Sequence, residues 1–173
     1  MAFTPSIYVS TQRIAAAPSG ANTITAVNRD YTRLSIEGFK NKNTTGTPSD
    51  SGWYFQLTSN TNIFVAVGAY ATSLRLFIEY FLPTFFRQPF YHGVVTIPDG
   101  ALTGTVNTGQ THGPKAFIVY NGSNITFGVG VSPESETEAE LSLSGGIVTA
   151  TRHQVNSTGP GVLNLYFTVI DPK

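Results

Sequence analysis

The sequence predicts an all-β fold: a single-domain antiparallel β-sandwich or barrel of jelly-roll type, with about eight to ten strands. Three observations carry that expectation. Apolar and polar residues alternate over short runs spaced roughly 8–15 residues apart, the pattern of half-buried strands. Turn signals separate the runs, among them Pro98-Asp99-Gly100, Asn121-Gly122 and Gly145-Gly146. Charged residues make up only 12% of the chain, about half the usual share of roughly 25%. The polar surface is then mostly Thr, Ser, Asn and Gln, which suits exposed strands better than solvated helices.

The first strand is expected over Ile7 to Ile14, ended by Ala15-Ala16-Ala17-Pro18-Ser19-Gly20. A leading strand followed by a small-residue hinge suits either an ordinary sheet edge or an arm exchanged between copies, so residues 1–20 are candidates for such an arm. A short strand follows at Ile24 to Val27. Thr32 to Phe39 is better patterned, with Leu34 and Ile36 on one face and Arg33, Ser35 and Glu37 on the other. Lys40 to Gly52 holds no apolar side chain and reads as a long polar loop. In Trp53 to Ser59 the inward set is Trp53, Phe55 and Leu57; Ile63 to Ala71 is apolar on both faces, as a central strand would be.

Ser73 to Leu82 fits two periods. Leu74, Phe77, Ile78, Phe81 and Leu82 make a helical stripe, while Leu74, Leu76, Ile78, Tyr80 and Leu82 alternate as a strand. The aromatic content and the β surroundings favour the strand. Pro83 and Pro89 then prevent a regular element. Gly93 to Ile97 is a strand closed by the Pro98-Asp99-Gly100 turn, and Thr103 to Gly113 reads as a second polar loop containing a solvated His112. Asn121-Gly122-Ser123-Asn124 is the strongest hairpin signal, predicted to join Ala116–Tyr120 to Ile125–Val131. A second hairpin joins Glu138–Leu143 to Ile147–His153 through Ser144-Gly145-Gly146. Val162 to Ile170 closes the chain, with Leu163, Leu165, Phe167 and Val169 inward.

Composition excludes several chemistries. There is no cysteine, hence no disulfide, thiolate nucleophile or Cys-based zinc site. Ten basic residues balance ten acidic ones, and without a clustered basic face no direct nucleic-acid contact is expected. The start, Met-Ala-Phe-Thr-Pro-Ser, lacks the basic and apolar regions of a secretory signal, and no apolar run reaches the ~20 residues of a membrane span. The Asn-x-Ser/Thr triplets at Asn43, Asn121, Asn124 and Asn156 are read as chance.

No catalytic signature stands out, and no enzyme activity, metal or other cofactor is expected. His92, His112 and His153 lack paired-ligand spacing. Glu134, Glu136, Glu138 and Glu140 share one face if extended. They are read as a solvated edge that repels stray strands rather than a calcium site. The densest feature is aromatic: seven aromatic side chains lie between Ser73 and Tyr91. They suit either core or a contact between subunits. The candidate interface set is Phe81, Phe85, Phe86, Arg87, Phe90 and Tyr91, aromatics with one Arg, as interface centres favour. A rival reading makes Trp53 and Tyr54 a sugar-stacking platform of a lectin or receptor-binding module.

The opening Ala2-Phe3-Thr4-Pro5-Ser6-Ile7-Tyr8-Val9, the Phe81–Tyr91 run and the closing Leu163-Asn164-Leu165-Tyr166-Phe167 resemble a viral coat protein of the single-jelly-roll kind. More narrowly, the chain resembles the smaller major capsid protein of tailless, membrane-containing icosahedral phages of thermophilic bacteria. That resemblance implies an upright barrel that dimerises and assembles with a second, larger coat protein into the shell of a virion, over an internal lipid membrane. Such a protein would be made in the host cytoplasm, and a membrane between coat and genome would remove the need for a basic arm.

Overall fold

The computed structural model describes residues 7–41, 50–67, 71–126, 139–153 and 161–173. Twelve strands and two short 3-10 turns account for the regular structure among them. In chain order the strands are β1 (Tyr8–Ala17), β2 (Gly20–Thr23), β3 (Thr32–Asn41), β4 (Asp50–Leu57), β5 (Asn62–Val67) and β6 (Ala71–Phe81). After them come β7 (Tyr91–Ile97), β8 (Thr103–Asn107), β9 (Phe117–Thr126), β10 (Ala139–Ser144), β11 (Ile147–Arg152) and β12 (Val162–Ile170). All the pairings are antiparallel. The all-β sandwich that the alternation predicts is the fold.

One layer is a six-stranded sheet, β2-β5-β4-β9-β12-β7. The other is split into two three-stranded sheets, β1-β6-β3 and β10-β11-β8. Directly opposed residues of antiparallel strands share a face, and Trp53, Ser123 and Leu165 are successive partners across β4, β9 and β12. Both small sheets therefore cover the same, inner face of the large one.

Two apolar cores result. In the first, Phe55, Leu57, Ile63 and Val65 of the large sheet meet Leu34, Leu74, Leu76 and Ile78 of the small one. In the second, Val95, Ile97 and the β12 set Leu163, Leu165, Phe167 and Val169 meet Val148 and Ala150. Each such side chain contributes about 1.5–3 kcal/mol by leaving water.

β6 settles the two-period segment as a strand, central in its sheet between β1 and β3. A helix would have shown its stripe to one core, whereas here Leu74, Leu76 and Ile78 all point inward and are fully buried. β1 lies at the edge of that sheet, paired with β6 of its own chain, and runs through the three alanines to Ala17 by way of a bulge. The Gly145-Gly146 hairpin forms as the turn chemistry requires, both glycines having positive φ (55° and 88°).

Four expectations are corrected. Asn121-Gly122 does not turn the chain: β9 runs straight through it, and the register slips by one residue opposite Tyr166–Phe167. Gly122, at φ 107°, marks a β-bulge instead, and a Cβ there would sit 2.0 Å from the Trp53 carbonyl oxygen. The sequence signal for positive φ is the same in a turn and a bulge. Ile24 to Val27 is not a strand; Ile24 and Val27 are buried in irregular chain whose N–H groups reach Thr61 O and Asn60 O. Thr103 to Gly113 is not all loop, since Thr103–Asn107 pairs with β11 as β8. His112 is not solvated: its side chain is 3% exposed. The middle of the predicted Lys40–Gly52 loop, with Asn43, lies outside the described residues, as do Glu134, Glu136, Glu138 and Asn156.

Candidate functional site

The chain leaves β6 at Leu82 and makes a 3-10 turn over Pro83–Phe85, with proline inside its first turn. It then crosses one end of the large sheet's outer face, opposite to Val169 and Ile118. Phe86 N–H reaches Pro83 O, Arg87 N–H reaches Asp171 O, and Lys173 N–H reaches Phe85 O. Phe86 pairs as a single bridge with Pro172. The crossing buries Phe81, Phe86 and Phe90 with Ile170 in a third core, flanked by Tyr31 and Val119. The rings meet edge-on: Phe86 stands 4.7 Å from Phe90 at 83°, and 5.5 Å from Phe81 at 77°. That is the geometry aromatic quadrupoles favour.

Polar groups pin the same end. His92 is held on both nitrogens, Nε2 against Arg29 O at 2.9 Å and Nδ1 against the Thr168 hydroxyl at 3.0 Å. A carbonyl can only accept, so Nε2 carries the proton and Nδ1 accepts from Thr168. Burial lowers the His92 pKa, favouring this neutral ring. Nearby, Gln88 Nε2 shares its two hydrogens among Thr111 O, Asp171 Oδ2 at 3.2 Å and His112 Nδ1 at 2.8 Å. His112 Nε2 then donates to Thr108, whose hydroxyl continues to Gly146 O. This network ties the 108–113 segment to the end of β12.

Between the crossing, β1 and the end of β9 lies a half-open pit of about 380 Å³. Phe81, Phe86 and Ile170 form its buried floor, while Ile7, Tyr8, Phe85 and Phe117 stand at its rim, each about two-fifths exposed. Arg33 and Lys173 are its charged members. Arg33 lies 5.7 Å over the Phe81 ring and its Nε donates to Glu79 at 2.6 Å. Glu79 is 4% exposed and so needs this partner. Partial burial and a hydrogen bond to Glu79 raise the Tyr8 hydroxyl above its ordinary pKa.

The structure thus divides the six aromatic-run candidates. Phe81, Phe86 and Phe90 are core, and Tyr91 packs on the second core beside Phe167. Phe85 faces solvent, as does Arg87, whose Nε lies 3.8 Å from Asp171 Oδ1. Ile7, Tyr8, Phe117 and Lys173 were missed, because they reach the pit from distant parts of the sequence.

The Trp53–Tyr54 platform does not form. Successive strand residues point to opposite faces. Trp53 packs into the first core with its ring 6.0 Å from Phe55 and nearly parallel to it. Tyr54 is on the outer face, stacked on Tyr166 at 3.8 Å and 4° and flanked by Phe64 at 6.0 Å. Both tyrosines oppose Gly122 across the sheet, so the pair covers a glycine that has no side chain of its own. Burial, then the neighbouring Tyr54, pushes the Tyr166 hydroxyl up to about 12.

Among the described residues no three His, Asp or Glu side chains gather as a metal-ligand group. No helix among them is long and apolar enough to cross a membrane. Compared with known proteins, the chain matches no family model, no curated protein and no solved structure.

Proposed function

We propose that this chain is a structural coat subunit, which associates with copies of itself and with a second, larger coat protein in the shell of a virion. One observation carries the reading. An exposed apolar rim, Ile7, Tyr8, Val9, Phe85 and Phe117, adjoins the ten-residue edge strand β1. An edge strand offers unpaired N–H and C=O groups, and proteins that stay single usually guard such edges with charge or proline. β1 carries one charge, Arg13, already paired with Glu37 at 2.8 Å. Apolar surface beside an edge strand with so little charge suits association with another chain. The catalytic machinery of an enzyme forms no part of this reading, and proximity to an internal membrane belongs to it only through the coat-protein resemblance.

The test is sedimentation equilibrium over a range of protein concentration. The wild type should associate, and Val9→Lys, which puts a charge on the edge, should weaken association about tenfold or more. A wild type that stays monomeric at every concentration would sink the proposal.

A second reading has its own observation. The Phe64–Tyr54–Tyr166 stack lies on the outer face beside Asn124, Asn164 and Thr96, aromatic and amide groups of the kind that hold sugars. Glycan binding that Tyr166→Ala abolishes would establish it; an array with no signal would remove it.

A further inference from the structure

We infer that the pit at the end of β1, β6 and β9 is a binding site for a single-chain anionic amphiphile of the fatty-acid type. Its volume of about 380 Å³ lies within the roughly 300–1,000 Å³ of small-ligand sites. That room suits one alkyl chain, not the edge of a bilayer. The wall is apolar from floor to rim: Phe81, Phe86 and Ile170 below, Ile7, Phe85 and Phe117 above. The lining has two cationic side chains and no acidic one.

Those two cations differ in role. Arg33 is already matched by Glu79, a buried carboxylate outside the lining. Lys173 has no acidic partner within salt-bridge reach among the described residues, and Lys115 Nζ donates to the Lys173 main-chain oxygen at 2.9 Å. Among the described residues the rim is therefore left with one cationic side chain, Lys173, that no acidic side chain matches. An alkyl chain removed from water in the pit would place its headgroup beside that ammonium, and a carboxylate is the complement. The inference goes beyond the subunit reading and does not need it.

The test is calorimetric titration of the full chain with dodecanoate, with dodecyltrimethylammonium as the charge-reversed probe. Dodecanoate should bind one per chain, and the cationic probe about tenfold more weakly. Phe117→Asp changes a rim residue that is already 42% exposed, so the fold survives; it should weaken dodecanoate by about tenfold or more. Lys173→Glu should narrow or invert the preference between the two probes. Equal binding of both probes, no binding, or indifference to Phe117→Asp would overturn the inference. So would dodecanoate binding that disappears as rising protein concentration drives association, because the pit would then be filled by a neighbouring copy. Sedimentation of the same samples without amphiphile reports on association alone, so the two readings can fail separately.

Discussion

The outer face of the six-stranded sheet carries two groups of aromatic side chains, one at an end and one mid-strand, and they differ in what covers them. At one end the Pro83–Phe90 crossing lies over Val119 and Ile170 and makes a third core with a pit beside it. Mid-strand, Tyr54, Tyr166 and Phe64 stack on one another with no other ring among the described residues, and remain half-buried. The lesson is that an aromatic run becomes a compact patch only where prolines break strand alternation. Inside a regular strand, neighbouring aromatics are sent to opposite faces and cannot cooperate.

The comparison can be broken at the covered end first. Phe81→Ala should cost about 3–5 kcal/mol in urea-denaturation free energy, because it empties a site where three other rings converge. A loss below about 1 kcal/mol would mean that the third core is not packed as described. Arg33→Met should cost about 3 kcal/mol, since it strands the buried Glu79 carboxylate. Restoring stability with Arg33→Met/Glu79→Leu would show that the stranded charge, not lost packing, is the cause.

At the mid-strand stack, Gly122→Ala should cost about 2–3 kcal/mol, because φ 107° and the Trp53 carbonyl leave no room for a Cβ. Tyr166→Ala should cost less, about 1 kcal/mol, as a stacked pair loses one half. In the same protein, the ultraviolet alkaline titration should lose a phenol ionising near 12.

Acidity probes the covered end again. His92 has a folded pKa below its ordinary 6.5, so the unfolded chain takes up the proton first as pH falls. Stability is then full above 6.5 and declines from there towards the lower folded value, by at most about 1.4 kcal/mol per pH unit. His92→Gln should flatten this part of the pH profile, and an unchanged slope would assign it to another group.

How much of this was legible follows from the range of the interaction concerned. β12 was readable to the residue, because Leu163, Leu165, Phe167 and Val169 alternate without interruption and all are buried. The Gly-Gly hairpin was readable because turn chemistry is local. Asn121-Gly122 was read wrongly, since positive φ alone does not tell a bulge from a turn. The pit was invisible: Ile7, Phe85, Phe117 and Lys173 meet only after β1, β9 and the end of the chain are in place. Tyr166 was recognisable as outward-facing from its alternation, but its stacking on Tyr54 depends on Gly122 lying between them.

The central claim is that one aromatic segment does two jobs, Phe86 holding the fold and its neighbour Phe85 meeting other chains. Paired measurements of stability and sedimentation on Phe86→Ala and Phe85→Ser test it most directly. The account predicts that Phe86→Ala loses about 3 kcal/mol or more of stability. Phe85→Ser should stay within about 0.5 kcal/mol of wild type yet associate about tenfold more weakly. Association untouched by Phe85→Ser, or an equal loss of stability in both proteins, would contradict it.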